Sequence, residues 1–228
     1  MSGAAPVVTI DGPGGSGKGT ISRLLARRLG WHWLDSGALY RILGLQATRA
    51  GVDLDAVDAL RALCGALQVG FEERAGEPIV LLSGEDVTAE LRTERAGEAA
   101  SRVAAHPGVR AALLDWQRGY CVAPGLVADG RDMGTVVFPG ADLKVYLTAS
   151  LEERARRRYN QLKQQGFEVS IDDLLRDIAQ RDARDTQRAV APLRPASDAV
   201  VIDSSKLTID EVLQEIAALV AARLRGVV

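Results

Sequence analysis

The chain has 228 residues, of which 47% are hydrophobic, and this proportion suffices for the core of a globular domain and excludes a disordered chain. The net charge of −2 and the aromatic content of 4% disfavour nucleic-acid binding, because such proteins need a positive surplus or platforms for base stacking. The sequence has neither an apolar run long enough to span a membrane nor a signal peptide at its start. We therefore expect a cytoplasmic protein that binds neither nucleic acid nor membranes.

Strands and helices are predicted to alternate along the chain. Residues 7–10 form a short β-branched run, a glycine cluster follows, and apolar residues at helical spacing continue to Gly30. Thr208 and Glu211 have the spacing of a capping box, which predicts the start of the last helix. The alternation predicts an α/β fold with a parallel central sheet. Further apolar runs, each followed by a polar loop and a helical pattern, lie at residues 125–128, 143–147 and 199–202.

Two segments interrupt this alternation. Residues 67–82 contain two extended runs around a Gly/Pro turn, which predicts an antiparallel hairpin inside a small inserted lobe. Residues 152–188 are rich in both charges and have a cap at Ser170, which predicts a helical hairpin that forms a lid over the surface. We expect one domain, residues 1–228, with five sub-regions: core 1–62, inserted lobe 63–102, core 103–151, lid 152–188 and core 189–228.

A phosphate-binding loop directly follows the first predicted strand. Residues 12–20 read GPGGSGKGT, and Gly12, Gly17 and Lys18 have the spacing of a P-loop. The glycines of such a loop let consecutive amide groups point at phosphates, the helix N-terminus adds its positive end, and Lys18 reaches the β- and γ-phosphates. We therefore expect a nucleoside triphosphate to bind at Gly12, Pro13, Gly14, Gly15, Ser16, Gly17, Lys18, Gly19 and Thr20.

The position after Lys18 departs from the P-loop pattern. Gly19 stands where the pattern has a serine or threonine that binds Mg²⁺, and Thr20 provides a hydroxyl one position later. We expect Mg²⁺ to accompany the triphosphate, with Thr20 as its candidate ligand, partly through water.

The P-loop by itself is shared by kinases, GTPases and ATPases. The absence of an Asn-Lys-x-Asp tetrapeptide weakens the assignment to a guanine-specific switch, and the chain is short for a transport ATPase or a helicase core. If a kinase phosphorylates a phosphate, the acceptor's second pKa near ~6 removes the need for a base. Two phosphates repel each other instead, so such a site requires several arginines and no catalytic histidine.

Arginines at helical spacing meet this requirement. Arg181, Arg184, Asp185 and Arg188 are predicted on one face of a helix. The alternative is a solvated helix with ion pairs such as Arg181 with Asp185. A second face of this kind is predicted for Arg154, Arg157 and Arg158.

Asp129 directly follows the apolar run at residues 125–128, which is predicted to be a strand, and Arg131 and Asp132 come shortly after it. Ligands of open α/β sheets bind beyond the carboxyl ends of the strands, so these side chains are expected to face the same crevice as the P-loop. The alternative is a turn that binds no ligand.

Six blocks of the sequence are spread over nearly the whole chain. In order, they are GPGGSGKGT at 12–20, LDSGALYR at 34–41, GRDMGTVVFPGADLKVYLTAS at 130–150, RARRR at 154–158, RDARDTQR at 181–188 and IDSSKLTIDEV at 202–212. Together these blocks resemble bacterial cytidylate kinases. The first block is shared with adenylate kinase and its relatives, whereas the second and third together are far more specific.

The resemblance implies the nucleoside monophosphate kinase fold, with residues 63–102 as the lobe that binds the monophosphate. It also implies transfer of a phosphoryl group from ATP to CMP or dCMP.

The resemblance also implies roles for individual residues. Arg110 as a donor and Asp132 as an acceptor complement the hydrogen-bonding edge of cytosine, which uracil reverses at two atoms. Lys18, Asp129, Arg131 and Arg188 are the expected catalytic residues, and Arg154, Arg157 and Arg158 are expected to bind ATP phosphates. The expected CMP contacts are Ser36, Arg41, Arg131 and Arg188 at the phosphate, Ser101, Arg110 and Asp132 at the base, and Arg181 and Asp185 at the ribose.

Two other functions remain open at this point. One is a different small-acceptor P-loop kinase, acting on UMP, AMP or a hydroxylated metabolite. The other is a nucleotide sensor without catalysis, which would have no need for a second set of arginines. We expect a monomer whose partners are ATP and CMP or dCMP.

Overall fold

The structure is a computed structural model that describes residues 5–74, 77–164 and 166–224. In chain order its elements are β1 (Val7–Asp11), α1 (Lys18–Leu29), β2 (His32–Asp35), α2 (Ser36–Arg49), α3 (Val57–Ala66), β3 (Val69–Arg74), β4 (Glu77–Leu82), β5 (Glu85–Asp86), α4 (Thr88–Leu91), α5 (Glu94–Val103), α6 (Pro107–Arg118), β6 (Leu126–Gly130), a π-helix (Met133–Val137), β7 (Leu143–Thr148), α7 (Leu151–Gln164), α8 (Ile171–Thr186), β8 (Val200–Asp203) and α9 (Ile209–Arg223).

The chain divides into two compact units, one of Met1–Asp35 with Gln117–Val228 and one of Ser36–Trp116. In the described part of the first unit, five parallel strands form one sheet in the order β2-β6-β1-β7-β8. The α/β fold with a parallel central sheet is therefore confirmed, and each strand predicted from an apolar run lies in this sheet.

The core of the first unit lies between the sheet and helices α1 and α9. Ile10 and Val145 from the strands pack with Leu25 of α1 and Ile216 of α9, and all four are almost completely buried. Burial of a side chain of this size stabilises the fold by roughly 1.5–3 kcal/mol. α9 begins at the predicted capping box, in which Thr208 and Glu211 satisfy each other's backbone amides.

The predicted helical hairpin is formed by α7 and α8, which pack through Ala155, Leu162 and Leu174. The hydroxyl of Ser170 accepts a hydrogen bond from the amide of Asp173 and caps α8, as the sequence predicts. α8 ends at Thr186, so the prediction that Arg188 shares a helical face with Arg181 was wrong.

A π-helix replaces the longer helical pattern expected after β6. It spans Met133–Val137 and leads directly towards β7. π-helical turns are rare and occur frequently at functional sites, because the extra residue alters the direction of neighbouring side chains. Nothing in the sequence indicates that the helical element at this position is so short.

The second unit combines helices with an antiparallel sheet. Its three described strands pair in the order β3-β4-β5, so the predicted antiparallel hairpin is confirmed, although Gly76 of its predicted turn lies outside the described residues. α2 and α5 pack closely at Gly44, where a Cβ atom would come within 2.8 Å of the Cβ atom of Ala99. The division into five sub-regions stays a prediction. No helix in the described part of either unit has the length and apolar character that crossing a bilayer requires.

Candidate functional site

The P-loop connects β1 to α1, as its spacing predicts. Gly17 caps α1 with a φ of 90°, a left-handed conformation that glycine adopts without strain. Gly12 has a φ of +152°, and a Cβ atom there would lie 2.0 Å from the carbonyl oxygen of Leu147, so a larger residue does not fit. This turn and the N-terminus of α1 provide the amide groups and the helix dipole of an anion-binding site.

Lys18 is the first residue of α1 and is directed back over the P-loop. Its Nζ atom donates a hydrogen bond to the carbonyl oxygen of Pro13 at 3.2 Å. Burial and the neighbouring Arg131 guanidinium together lower the pKa of Lys18 to about 7, whereas Asp129 opposes the change. A phosphate beside the ammonium group would favour its charged form, because an opposite charge stabilises it.

Asp129 and Asp35 are neighbours at the carboxyl ends of two paired strands. They occupy opposite positions in the parallel register of β2 and β6, so their side chains leave the same face of the sheet. The indole Nε1 of Trp33 donates a hydrogen bond to Oδ2 of Asp129 at 2.9 Å. Burial and the charge of Asp35 together raise the pKa of Asp129 to about 7.

The guanidinium groups of Arg131 and Arg181 both approach Gly14 of the P-loop. A Cβ atom built on Gly14 would lie 3.6 Å from Nη2 of Arg131 and 4.0 Å from Nη1 of Arg181. Arg131 follows β6 and Arg181 belongs to α8, so the sheet edge and the hairpin of α7 and α8 both bring positive charge to the loop. This concentration of charge is suited to holding more than one phosphate.

Asp185 of α8 organises these arginines. Its carboxylate is 1% exposed, accepts a hydrogen bond from Nε of Arg131 at 3.0 Å and is also paired with Arg188. Burial by itself would raise the pKa of Asp185, but Arg131, Arg188 and Arg181 outweigh burial and hold it below its ordinary value. The anionic Asp185 therefore fixes Arg131 and Arg188 relative to each other.

Arg154 and Arg157 of α7 bind the backbone of the P-loop. Arg154 donates to the carbonyl oxygens of Gly14 and Ala149 and pairs with Asp182 at 2.6 Å. Arg157 donates to the carbonyl oxygen of Ser16 at 3.2 Å. Their predicted contacts with ATP phosphates stay predictions, because the contacts present here are with the protein itself.

Arg157 also reaches the loop after β8, where its guanidinium donates to the carbonyl oxygen and the hydroxyl of Ser204. The hydroxyl of Ser204 in turn donates to the carbonyl oxygen of Ser16 at 3.2 Å. Arg158, the third predicted phosphate ligand on α7, donates to the side chain of Gln161.

The second unit carries the remaining residues predicted to bind CMP. Ser36 begins α2, Ser101 lies in α5, and both are buried. Arg41 donates a hydrogen bond to the carbonyl oxygen of Leu91. Arg110 lies over the ring of Tyr40, 5.5 Å from its centroid, and donates to the carbonyl oxygen of Ala104.

Asp132 and Thr20 complete the set of predicted site residues. Asp132 is 2% exposed and precedes the π-helix as its N-cap residue. Thr20 is exposed in the first turn of α1, and at Gly19 a Cβ atom would meet nothing within 4 Å. Within residues 5–74, 77–164 and 166–224, no group of three or more acidic, His or Cys side chains is arranged to hold a metal ion.

Comparison with known proteins identifies the family. The sequence profile of the cytidylate kinase family matches residues 8–222. This chain belongs to the cytidylate kinase family. A cytidylate kinase of Pseudomonas entomophila is 59% identical over 227 residues, which cover 98% of this chain and 99% of that protein. A cytidylate kinase of Aeromonas hydrophila is 58% identical over 214 residues, 94% of this chain and 93% of that protein.

Three residues of the site were not predicted from the sequence. Asp11 and Asp35 are the last residues of β1 and β2, and Trp33 binds Asp129. The rule that located Asp129, a polar residue at the carboxyl end of a parallel strand, also applies to both aspartates. No sequence signal indicated the contact of Trp33 with a residue 96 positions away.

Proposed function

We propose that this protein transfers the γ-phosphoryl group of ATP to CMP, and also to dCMP. The observation that carries this proposal is the approach of Arg131 and Arg181 to Gly14 of the P-loop, beside Lys18. A site that only held a triphosphate would not require this second set of guanidinium groups. Membership of the cytidylate kinase family supports CMP as the acceptor.

The proposed mechanism relies on positioning and on neutralisation of charge. The P-loop amides and Lys18 bind the phosphates of ATP, and Arg131 and Arg188 hold the acceptor phosphate in line with the γ-phosphate. A phosphate acceptor with a second pKa near ~6 is already ionised at neutral pH, so no base has to remove a proton. The arginines reduce the repulsion between the two anions, which amounts to several kcal/mol in a partly desolvated site.

We propose that Mg²⁺ accompanies ATP, and the acidic pair fits this role. The carboxyl groups of Asp35 and Asp129 lie side by side near Lys18, and burial together with the charge of Asp35 raises the pKa of Asp129, which supports a cation beside this pair. Two carboxyl groups suit an ion that keeps several of its waters, and the hydroxyl of Thr20 is a further candidate. When bound, the ion would neutralise charge on the β- and γ-phosphates.

The contacts proposed for the acceptor follow from membership of the cytidylate kinase family. Ser36 and Arg41 would bind the acceptor phosphate, and Ser101, Arg110 and Asp132 would bind the base through groups complementary to cytosine. Arg181 and Asp185 would contact the ribose. A buried polar site rejects a base that leaves its groups unpaired, so UMP should be a poor acceptor.

A coupled assay of ADP release with CMP, dCMP, UMP, AMP and GMP tests the proposal. We expect CMP and dCMP to exceed the other acceptors by at least about 100-fold in kcat/KM. Equal rates with UMP or AMP would indicate a different small-acceptor kinase. Binding of ATP without ADP release on addition of any acceptor would indicate a sensor.

A further inference from the structure

Asp11 is a buried carboxylate outside the set of residues discussed for catalysis. It ends β1, immediately before Gly12, and is 5% exposed. Its Oδ1 atom accepts a hydrogen bond from the amide of Met133 and its Oδ2 atom accepts one from the amide of Gly134, both at 2.8 Å. One side chain therefore joins the start of the P-loop to the start of the π-helix.

These two amides directly follow Arg131 and Asp132 in the chain. They belong to the first turn of the π-helix, where amide groups have no partner within the helix itself. With both amides fixed, the backbone that carries Arg131 and Asp132 has a defined position relative to Gly12. We propose that Asp11 is a positioning residue for the acceptor, acting through the Arg131–Asp132 segment. This inference rests on the proposed function of that segment.

A carboxylate is the side chain suited to this task, since its two oxygens can accept from two neighbouring amides at the same time. An asparagine of the same size has one acceptor oxygen and an NH₂ group that would face an amide donor. The charge is retained at a cost, because burial raises the pKa of Asp11 to about 6 and the two amides only partly oppose this. Carboxyl groups with strongly raised pKa values are found mainly at functional sites, and Asp11 connects two loops of such a site.

The charged and titratable groups that act on Asp11 come from three elements. Asp132 next to the π-helix raises its pKa, Lys18 of α1 lowers it, and Tyr146 of β7 is also within electrostatic range. Below pH 6 the protonated carboxyl group resembles an amide, because one of its oxygens becomes a donor. The two hydrogen bonds should therefore weaken together as pH falls.

The test compares Asp11→Asn with Asp142→Asn. Asp142 is a matched control, because its Oδ2 atom accepts a hydrogen bond at 2.8 Å from the amide of Val7, at the opposite end of β1. We expect Asp11→Asn to raise the KM for CMP roughly tenfold, as for loss of a charge-assisted hydrogen bond, with the KM for ATP changed less than about threefold. Asp142→Asn should leave both KM values unchanged.

The pH profile provides a readout that a general structural role would not change. The ratio of the KM for CMP in Asp11→Asn to that in the wild type should approach one at acid pH, and titration of the CMP phosphate cancels in this ratio. A ratio independent of pH, an equal rise in both KM values, or an unchanged KM for CMP would overturn the proposal.

Hydrogen exchange of the ligand-free protein tests the same bonds without turnover. The amides of Met133 and Gly134 should exchange faster in Asp11→Asn than in Asp142→Asn, and in the wild type their protection factors should fall between pH 7.5 and pH 5. The wild-type measurement remains decisive if Asp11→Asn does not fold, and unchanged protection contradicts the proposal. Failure of the wild type to release ADP with CMP would instead refute the proposed function.

Discussion

The protonation of Asp129 is determined first by its burial and then by the neighbouring charges of Asp35 and Lys18. In the folded protein its pKa is raised to about 7 by burial and by Asp35, while that of Lys18 is lowered to about 7 by burial and by Arg131. Neither group has its ordinary affinity for a proton, which is characteristic of functional sites. The ligand-free protein holds charge here that a magnesium–nucleotide complex would compensate.

Asp129→Asn should reduce turnover and, relative to the wild type, stabilise the protein as pH rises. We expect turnover with CMP to fall by roughly 10–100-fold, as when a group that orients a metal ion is removed. A carboxyl group whose pKa rises on folding stabilises the protein at low pH and loses this contribution as pH rises towards the folded pKa. The free energy of unfolding of the variant should therefore increase relative to the wild type from about pH 4 to about pH 7, which urea denaturation measures.

Asp198→Asn is the control for the direction in which stability changes with pH. Lys144 lowers the pKa of Asp198 through a hydrogen bond, so the stability that Asp198 contributes is present above its ordinary pKa and is lost at lower pH. Its variant should become less stable relative to the wild type as pH rises. If Asp129→Asn behaved in the same way, the raised pKa of Asp129 would be refuted.

At the level of elements, two arginines of α7 donate hydrogen bonds to the backbone of the P-loop. Arg154 is 6% exposed and connects α7 to the carbonyl oxygen of Gly14 and to Asp182 of α8. Arg157 connects the same helix to Ser16 and Ser204. The first two turns of α7 are thus part of the structure that holds the P-loop, and any movement of the hairpin of α7 and α8 would have to leave these contacts intact or break them together.

Arg154→Met should destabilise the first unit. The substitution leaves the carboxylate of Asp182 and the carbonyl oxygen of Gly14 without their partner, and loss of one member of a buried pair costs about 3 kcal/mol. We expect the urea midpoint to fall by a corresponding amount with an unchanged slope, and the KM for ATP to rise because the P-loop loses its support.

Arg156→Met is the matched control on the same helix. Arg156 is exposed and pairs only with Glu153 among its described contacts, so the urea midpoint should stay the same. Equal midpoints for Arg154→Met and the wild type would show that the contacts of Arg154 contribute nothing to the fold.

At the scale of the whole molecule, the residues proposed to bind ATP all belong to one of the two units, that of Met1–Asp35 with Gln117–Val228. ATP binding should therefore depend on the fold of this first unit.

Thermal unfolding with and without magnesium–ATP measures how much the bound nucleotide stabilises the protein. At 100 times the Kd the bound nucleotide should add about 2.7 kcal/mol, which raises Tm by roughly 5–10 °C for a chain of this size. Lys18→Ala should abolish most of the increase and reduce turnover by roughly 10²–10³-fold.

Adenosine, which has no phosphates, is the control ligand and should leave Tm almost unchanged. An equal shift of Tm in Lys18→Ala and the wild type would show that Lys18 does not contact the phosphates. The fold of the variant can be verified by its Tm without nucleotide.

The sequence alone was sufficient for the features that depend on neighbouring residues. The P-loop, the cap at Ser170 and the capping box at Thr208 are each formed by a few consecutive residues, so spacing and residue type predict them. The alternation of strands and helices predicted the parallel sheet for the same reason, since each strand and each helix has its own periodic pattern.

Only the tertiary structure decided which distant side chains meet. The strand order β2-β6-β1 brings Asp35 beside Asp129 and Asp11 beside Gly130, and no local pattern specifies that order. In the same way, the packing of α7 brings the guanidinium of Arg154 to the carbonyl oxygen of Gly14, 140 positions away in the chain, and its contact with ATP phosphates stays a prediction. Strand pairing and helix packing join residues far apart in the chain, so their outcome depends on the whole core rather than on any segment of the sequence.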